Sequence, residues 1–230
     1  MIAFTSHFSL SCGTPNPIDG YRSTLLGKVG ASDAQVLTST SSPPWALRTA
    51  MALGWLSTRC TAFHIGQGYA VTAGHCVNAL KSEARGKLCE GINISWISPE
   101  SLELGAPQPC RRIIIEQGRG DSDYAILRFD TAPAAQLPLA GRVGETSRPV
   151  QLVGFAHGQL TYSENCMASW EAGPPGVWRH DCDTEPGDSG APLLNVPDQE
   201  VIGIHRGFRD GFNRALDARY VQARADAVGD

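Results

Sequence analysis

The chain has 230 residues, with 19 basic and 23 acidic side chains and a formal charge of −4, so charge gives no reason to expect a nucleic-acid partner. It is long enough to bury a substantial core, and no run of about 20 apolar residues exists to span a membrane. The 25 glycines and 15 prolines are scattered between short β-rich runs, which favours an all-β fold with many turns.

In chain order, residues 1–44 are rich in Ser, Thr, Gly and Pro, lack periodicity and end in Ser41-Ser42-Pro43-Pro44. They read as an N-terminal extension or pro-segment. Residues 1–7 lack the basic start and long apolar core of a secretory leader. Cys12 reads as a free thiol in this tail. Regular β patterning begins near Trp45, with strands expected at 60–65, 69–73, 112–116, 124–129, 149–155, 192–195 and 200–205. Residues 215–227 mix good helix formers with Tyr220 and Val221 and predict a short closing helix. A break near 133–141 divides residues 45–138 from 139–230.

Two segments carry chemistry. One is Thr184-Glu185-Pro186-Gly187-Asp188-Ser189-Gly190-Ala191-Pro192; the other, more than a hundred residues earlier, is Thr72-Ala73-Gly74-His75-Cys76. A serine hydroxyl needs an adjacent base, most often histidine, to take its proton as it attacks. Glycines on both sides of Ser189 allow a tight turn whose N–H groups, those of Gly187 and Ser189, approach a reacting carbonyl. An acid that orients the imidazole is offered by Asp123, at the head of the apolar run Tyr124-Ala125-Ile126-Leu127. Asp121, two residues further out, is the alternative; without His75 and Ser189 both would read as ordinary turn aspartates.

With these motifs in the order His75, Asp123, Ser189, the chain resembles the chymotrypsin-like (trypsin-like) serine proteases over roughly residues 45–225. An α/β-hydrolase elbow would need glycine where this chain has Ala191, and would place its acid and histidine after the serine. The resemblance implies two six-stranded antiparallel β-barrels, a short C-terminal helix, polypeptide substrates, no cofactor and a monomer. It also implies a disulfide between Cys60 and Cys76 beside the base. Cys166 with Cys182, and Cys89 with Cys110, are the further expected pairs. Three bridges point to a secreted or periplasmic protein, with reduced cysteines in a cytosolic enzyme as the alternative. Neither paired CxxC motifs nor HisGluxxHis spacing occurs, so a metal hydrolase has no support. In the animal branch of the family Asp188 would receive a newly freed N-terminal amine, and Lys28-Val29-Gly30-Ala31 faintly resembles such a cleavage site; in bacterial relatives internal polar groups satisfy that aspartate.

Specificity is open at this level. Asp183, six positions before the serine, would select Lys or Arg if it faced the pocket as in trypsin. The stretch from Glu200 to Phe208, followed by Phe212-Asn213-Arg214-Ala215, is more similar to the bacterial glutamyl endopeptidase branch. There His205 and Thr184 would bind a substrate carboxylate, with Arg206 as an additional cation. Phe208 stands where that branch commonly has glycine and would narrow the pocket. Small or apolar residues are a third possibility. Among the other histidines, His64 reads as structural, His157 as a turn residue and His180 as a residue that could line the pocket. A protease-like binding module without activity is the non-enzymatic alternative.

Overall fold

The computed structural model describes residues 34–78, 89–117, 122–141, 144, 146–171, 176–209 and 211–225. The elements of the first half are β1 (Gln35–Val36), α1 (Pro44–Ala50), β2 (Leu53–Leu56), β3 (Thr61–Gly66), β4 (Tyr69–Thr72), α2 (His75–Asn78), β5 (Asn93–Trp96), β6 (Gln108–Pro109), β7 (Arg112–Gln117) and β8 (Tyr124–Arg128). The second half contributes β9 (Arg148–Ala156), β10 (Gln159–Glu171), β11 (Val177–His180), β12 (Pro192–Asn195), β13 (Val201–Arg209), β14 (Phe212–Asp217) and α3 (Ala218–Ala225).

Two antiparallel sheets result. One has the order β6-β5-β2-β3-β4-β8-β7; the other has β1-β10-β11-β14-β13-β12-β9, and pairing of β9 with β10 closes it. The second half is thus a closed six-strand barrel with β1 added outside. The first is a curled half-barrel, open where a second closed barrel was expected: among the described residues β6 and β7 end the sheet without pairing each other.

The strands that carry the site are buried on both faces, which is why they read as unbroken apolar runs. On β8, Tyr124 and Ile126 join a core shared with Val153, Phe155, Leu194 and Ile204 of the other sheet, while Ala125 and Leu127 point into the first half with Ile94, Trp96 and Phe129. A third cluster, including Leu152, Trp178, Leu193 and Ile202, fills the closed barrel. The shared core holds the two sheets together face to face.

Two local expectations are corrected. A helix, α1, occupies the stretch where β patterning was expected to begin: Pro44 fixes a helical φ in the first turn, the helix formers of 45–50 follow, and Ala46 and Ala50 are buried. The closing helix begins at Ala218 rather than 215, because Ala215, Leu216 and Asp217 remain paired with β13. The Asp217 carboxylate then accepts the Arg219 backbone N–H at 2.8 Å, capping the helix start. Part of the stretch read as an extension also enters the fold, since Gln35 and Val36 pair with β10 and Leu37 is buried.

Candidate active site

His75 opens α2 after the two residues, Ala73 and Gly74, that follow β4, and Asp123 immediately precedes β8. Pairing of Thr72 with Ala125 in the β4–β8 ladder brings these two strand ends together. Asp123 Oδ1 accepts the His75 backbone N–H at 2.7 Å, and Oδ2 lies 2.7 Å from His75 Nδ1. The carboxylate is buried while the imidazole side chain is 43% exposed. The acid therefore fixes both the main chain and the ring of the histidine, and a proton on Nδ1 leaves Nε2 free to take another. Asp121 lies outside the described residues.

The serine loop is folded by its own polar groups. Asp188 Oδ2 accepts the Glu185 N–H at 2.8 Å, and Ala191 N–H donates to the Asp188 carbonyl at 2.8 Å. Two glycines are structurally required: Gly187 (φ 113°) and Gly190 (φ 90°) occupy the left-handed half of backbone space. A Cβ at Gly187 would collide with the Phe155 carbonyl, and one at Gly190 with the Thr61 carbonyl.

Thr61, at the start of β3, anchors this loop to the first half. Its N–H donates to both the Gly187 and Ser189 carbonyls at 2.9 Å. Its Oγ1 donates to the Gly187 carbonyl at 2.8 Å and accepts the Phe155 N–H at 3.0 Å. Cys76 Sγ lies 3.9 Å from the Ser189 carbonyl oxygen. The loop carrying Ser189 therefore packs against the residue that follows His75. Sequence reasoning missed Thr61, because a threonine at a strand start carries no distinguishing local signal.

All three expected cysteine pairs face each other. Cα separations of 6.1 Å for Cys60–Cys76, 5.5 Å for Cys89–Cys110 and 4.9 Å for Cys166–Cys182 lie within the span of a disulfide. Cys60, His75 and Cys76 bring their ligand atoms within 4.8 Å of one another. Both sulfurs are committed to the disulfide pair, so one histidine nitrogen remains, too few donors for a metal. Cys12 and residues 28–31 lie outside the described residues.

Behind the serine, the closed barrel contains a buried polar cluster. His205 N–H donates to the Ala191 carbonyl at 2.8 Å and its carbonyl accepts the Gly190 N–H at 2.7 Å, so β13 is bonded directly to the serine loop. His205 Nδ1 lies 3.1 Å from His180 Nε2, and both rings are buried. Burial pushes the His180 imidazole down to about 3 and holds His205 well below its ordinary value; protonating His205 beside His180, His75 and the Arg206 cation is further disfavoured. Both rings are neutral at neutral pH. Thr184 Oγ1 donates to Asn213 Oδ1 at 2.8 Å, and Asn213 Nδ2 donates to the Cys182 carbonyl at 2.7 Å. Asn213, which sequence reasoning did not single out, thus occupies the Thr184 hydroxyl proton.

The remaining candidates fall around this cluster. Asp183 is buried and its carbonyl accepts the Ser163 hydroxyl at 3.1 Å. Arg206 is half-buried and Phe208 is 38% exposed on β13. His64 is structural: its Nδ1 lies 2.8 Å from the Ala135 carbonyl and its Nε2 accepts the Gly68 N–H at 3.2 Å. His157 occupies the β9–β10 turn with φ 51°, its N–H donating to the Pro186 carbonyl at 2.7 Å and its Nε2 3.3 Å from Glu185. Asp188 differs from the other loop acids. Its Oδ1 has no hydrogen-bond partner among the described residues, and burial pushes the carboxyl up to about 7.

Residues 60–204 match the family model of the trypsin-like peptidase domain. Among solved structures, a Glu endopeptidase in complex with MPD is similar at 17% identity with a TM-score of 0.64, covering 86% of this chain and 97% of that one. A protease from M. tuberculosis in its active form is 20% identical with a TM-score of 0.63, covering 99% and 95%. A serine endoprotease from Yersinia pestis is 19% identical with a TM-score of 0.60, covering 84% and 68%. At such identities the likeness establishes the fold. No curated protein sequence matches the chain. No helix among the described residues is long and apolar enough to cross a membrane. The family model covers more than half of the chain: the chain belongs to the trypsin-like peptidase family.

Proposed function

We propose that this peptidase is a serine endopeptidase that works through an acyl-enzyme. Ser189 attacks the scissile carbonyl, His75 Nε2 takes the hydroxyl proton and returns it to the leaving amine, and Asp123 holds the Nδ1–H tautomer and stabilises the imidazolium. The N–H groups of Gly187 and Ser189 receive the oxyanion. The observation that carries this reading is the double hold of Asp123 on His75, at the backbone N–H and at Nδ1, with the Ser189 loop docked against the next residue. A fluorophosphonate that acylates activated serines labels the folded, processed protein and leaves Ser189→Ala unlabelled. Absence of labelling would identify an inactive, protease-like binding module instead.

For specificity we infer a preference for Glu or Asp before the scissile bond. A neutral His205 whose Nδ1 accepts the His180 Nε2–H presents its own Nε2–H as a donor to a carboxylate, and Arg206 adds positive charge nearby. The Thr184 hydroxyl must first leave Asn213 to donate to the same ligand. Bringing in a carboxylate favours the protonated form of His205, so affinity for an acidic side chain rises as pH falls, until the side chain itself protonates. Fluorogenic peptides differing only at the residue before the scissile bond decide the matter, with Glu expected to lead. Cleavage after Lys or Arg with none after Glu would transfer the pocket to Asp183. The three disulfide pairs support action in an oxidising, extracytoplasmic setting.

A further inference from the structure

At the ends of β4 and β8 remote from His75 and Asp123, Tyr69, Arg111, Arg112, Ile114, Arg128 and Asp130 line a solvent-open cavity of about 400 Å³. The ladders place Arg112 directly opposite Arg128, and Arg128 directly opposite Tyr69. Directly opposed residues share a face, so a row of two guanidinium groups and one aromatic ring crosses three strands, although like charges in this relation repel. Arg128 is held in place: its Nη1 donates to the Phe129 carbonyl at 2.6 Å and its guanidinium carbon lies 5.2 Å from the centre of the Tyr69 ring. Position 68 is glycine, and a Cβ there would collide with that guanidinium.

The charge of this row is not balanced. Asp130 is engaged by Arg111, and among the described residues no carboxylate pairs with Arg112 or Arg128. Three arginines against one aspartate leave a net positive cavity on a chain whose overall charge is −4. We propose that this groove docks an acidic stretch of the polypeptide substrate, away from the bond that is cut. Carboxylates would relieve the repulsion between Arg112 and Arg128, while Tyr69 and Ile114 offer apolar surface to the side chains between them. That apolar surface has no use for a bare inorganic anion. Asp123 and Arg128 are separated along one extended strand by about 17 Å, so the groove lies beyond the pocket beside Ser189, and a docked segment lies several residues from the scissile bond. The proposal extends the peptidase reading, but its first test requires no catalysis.

That test measures fluorescence anisotropy of a fluorescein-labelled peptide alternating Asp with Val, added to full-length Ser189→Ala protein. Binding that weakens with salt, falls about tenfold or more on adding Arg112→Glu, and persists on adding His205→Ala is the expected result. Arg112 is exposed, so its reversal should leave the melting temperature unchanged; Arg128→Gln provides a second, milder variant. Unaltered affinity in both arginine variants overturns the proposal. So does loss confined to His205→Ala, which would place the peptide in the primary pocket, and so does displacement by an equal concentration of inorganic phosphate. In the active protein, Arg112→Glu should leave cleavage of a short neutral fluorogenic peptide unchanged while lowering kcat/KM for the same peptide extended by an acidic tail. Equal effects on both substrates would refute substrate docking.

Discussion

Among the individual residues, Asp188 has the clearest measurable signature. Its carboxyl is buried with Oδ1 unpartnered among the described residues, and its folded-state pKa of about 7 stands above the ordinary carboxyl value of 3.8. Between these values the folded chain retains a proton that the unfolded chain has lost. The contribution of Asp188 is therefore full below about pH 4, falls as pH rises towards about 7, and is flat beyond, a change of a few kcal/mol. Thermal unfolding of the Ser189→Ala protein across this range, which avoids self-digestion, should show the decline, and Asp188→Asn should remove most of it. A positively charged partner supplied to Oδ1, such as a freed chain terminus, would reverse the slope. The proposed triad of His75, Asp123 and Ser189 could be nominated from the sequence because such chemistry constrains its neighbours as well. Thr61 and Asn213 were not, because each acts through bonds to residues far away in the chain: Thr61 to Gly187 and Phe155, Asn213 to Thr184 and Cys182.

At the scale of elements, the site depends on where three segments end: β4 before His75, β8 after Asp123 and the serine loop before β12. The Cys60–Cys76 pair ties the start of β3 to the residue after His75, across a sequence separation of 16. Replacing both cysteines by alanine should lower unfolding stability by about 3 kcal/mol, read from denaturant melts. It should reduce kcat more than it raises KM, because the loosened group is the proposed base, His75, rather than the binding pocket. The central strands were readable because burial on both faces makes them continuous apolar runs, as in Tyr124–Leu127. β10, β11 and β14 were harder. Exposed and buried residues mix along β10, including a register shift between Ser163 and Cys166. The end of β14 reads as part of the closing helix because Ala215 and Leu216 suit either structure, and only pairing with β13 distinguishes them.

For the whole molecule, the fold class followed from turn density and motif order, whereas closure did not. Nothing local in a strand states whether the last strand of its sheet meets the first, so the open first half could not be separated from a closed barrel. The shared core is the other property visible only in three dimensions. Phe155 is buried in it, tilted against Trp55 with ring centres 5.3 Å apart, and its N–H meets Thr61 Oγ1. Phe155→Ala should cost about 3–5 kcal/mol of stability; a melting temperature within a degree or two of the parent would mean that the two halves do not rely on this contact.

Thr61 alone bonds to strand β9 (Phe155 N–H), to the serine loop (the Gly187 and Ser189 carbonyls) and to the end of β4 before His75, where the Thr72 hydroxyl donates to its carbonyl at 2.7 Å. Its bonds can all exist only after both halves of the chain have formed and met. On the proposed mechanism, a nascent or half-folded chain would contain the base and the nucleophile without a working alignment, and would be harmless to itself and to its neighbours. In refolding, the return of peptidase activity should lag behind the return of β-sheet circular dichroism. Hydrolysis would then time the meeting of the two halves, which spectroscopy of the sheets alone does not report.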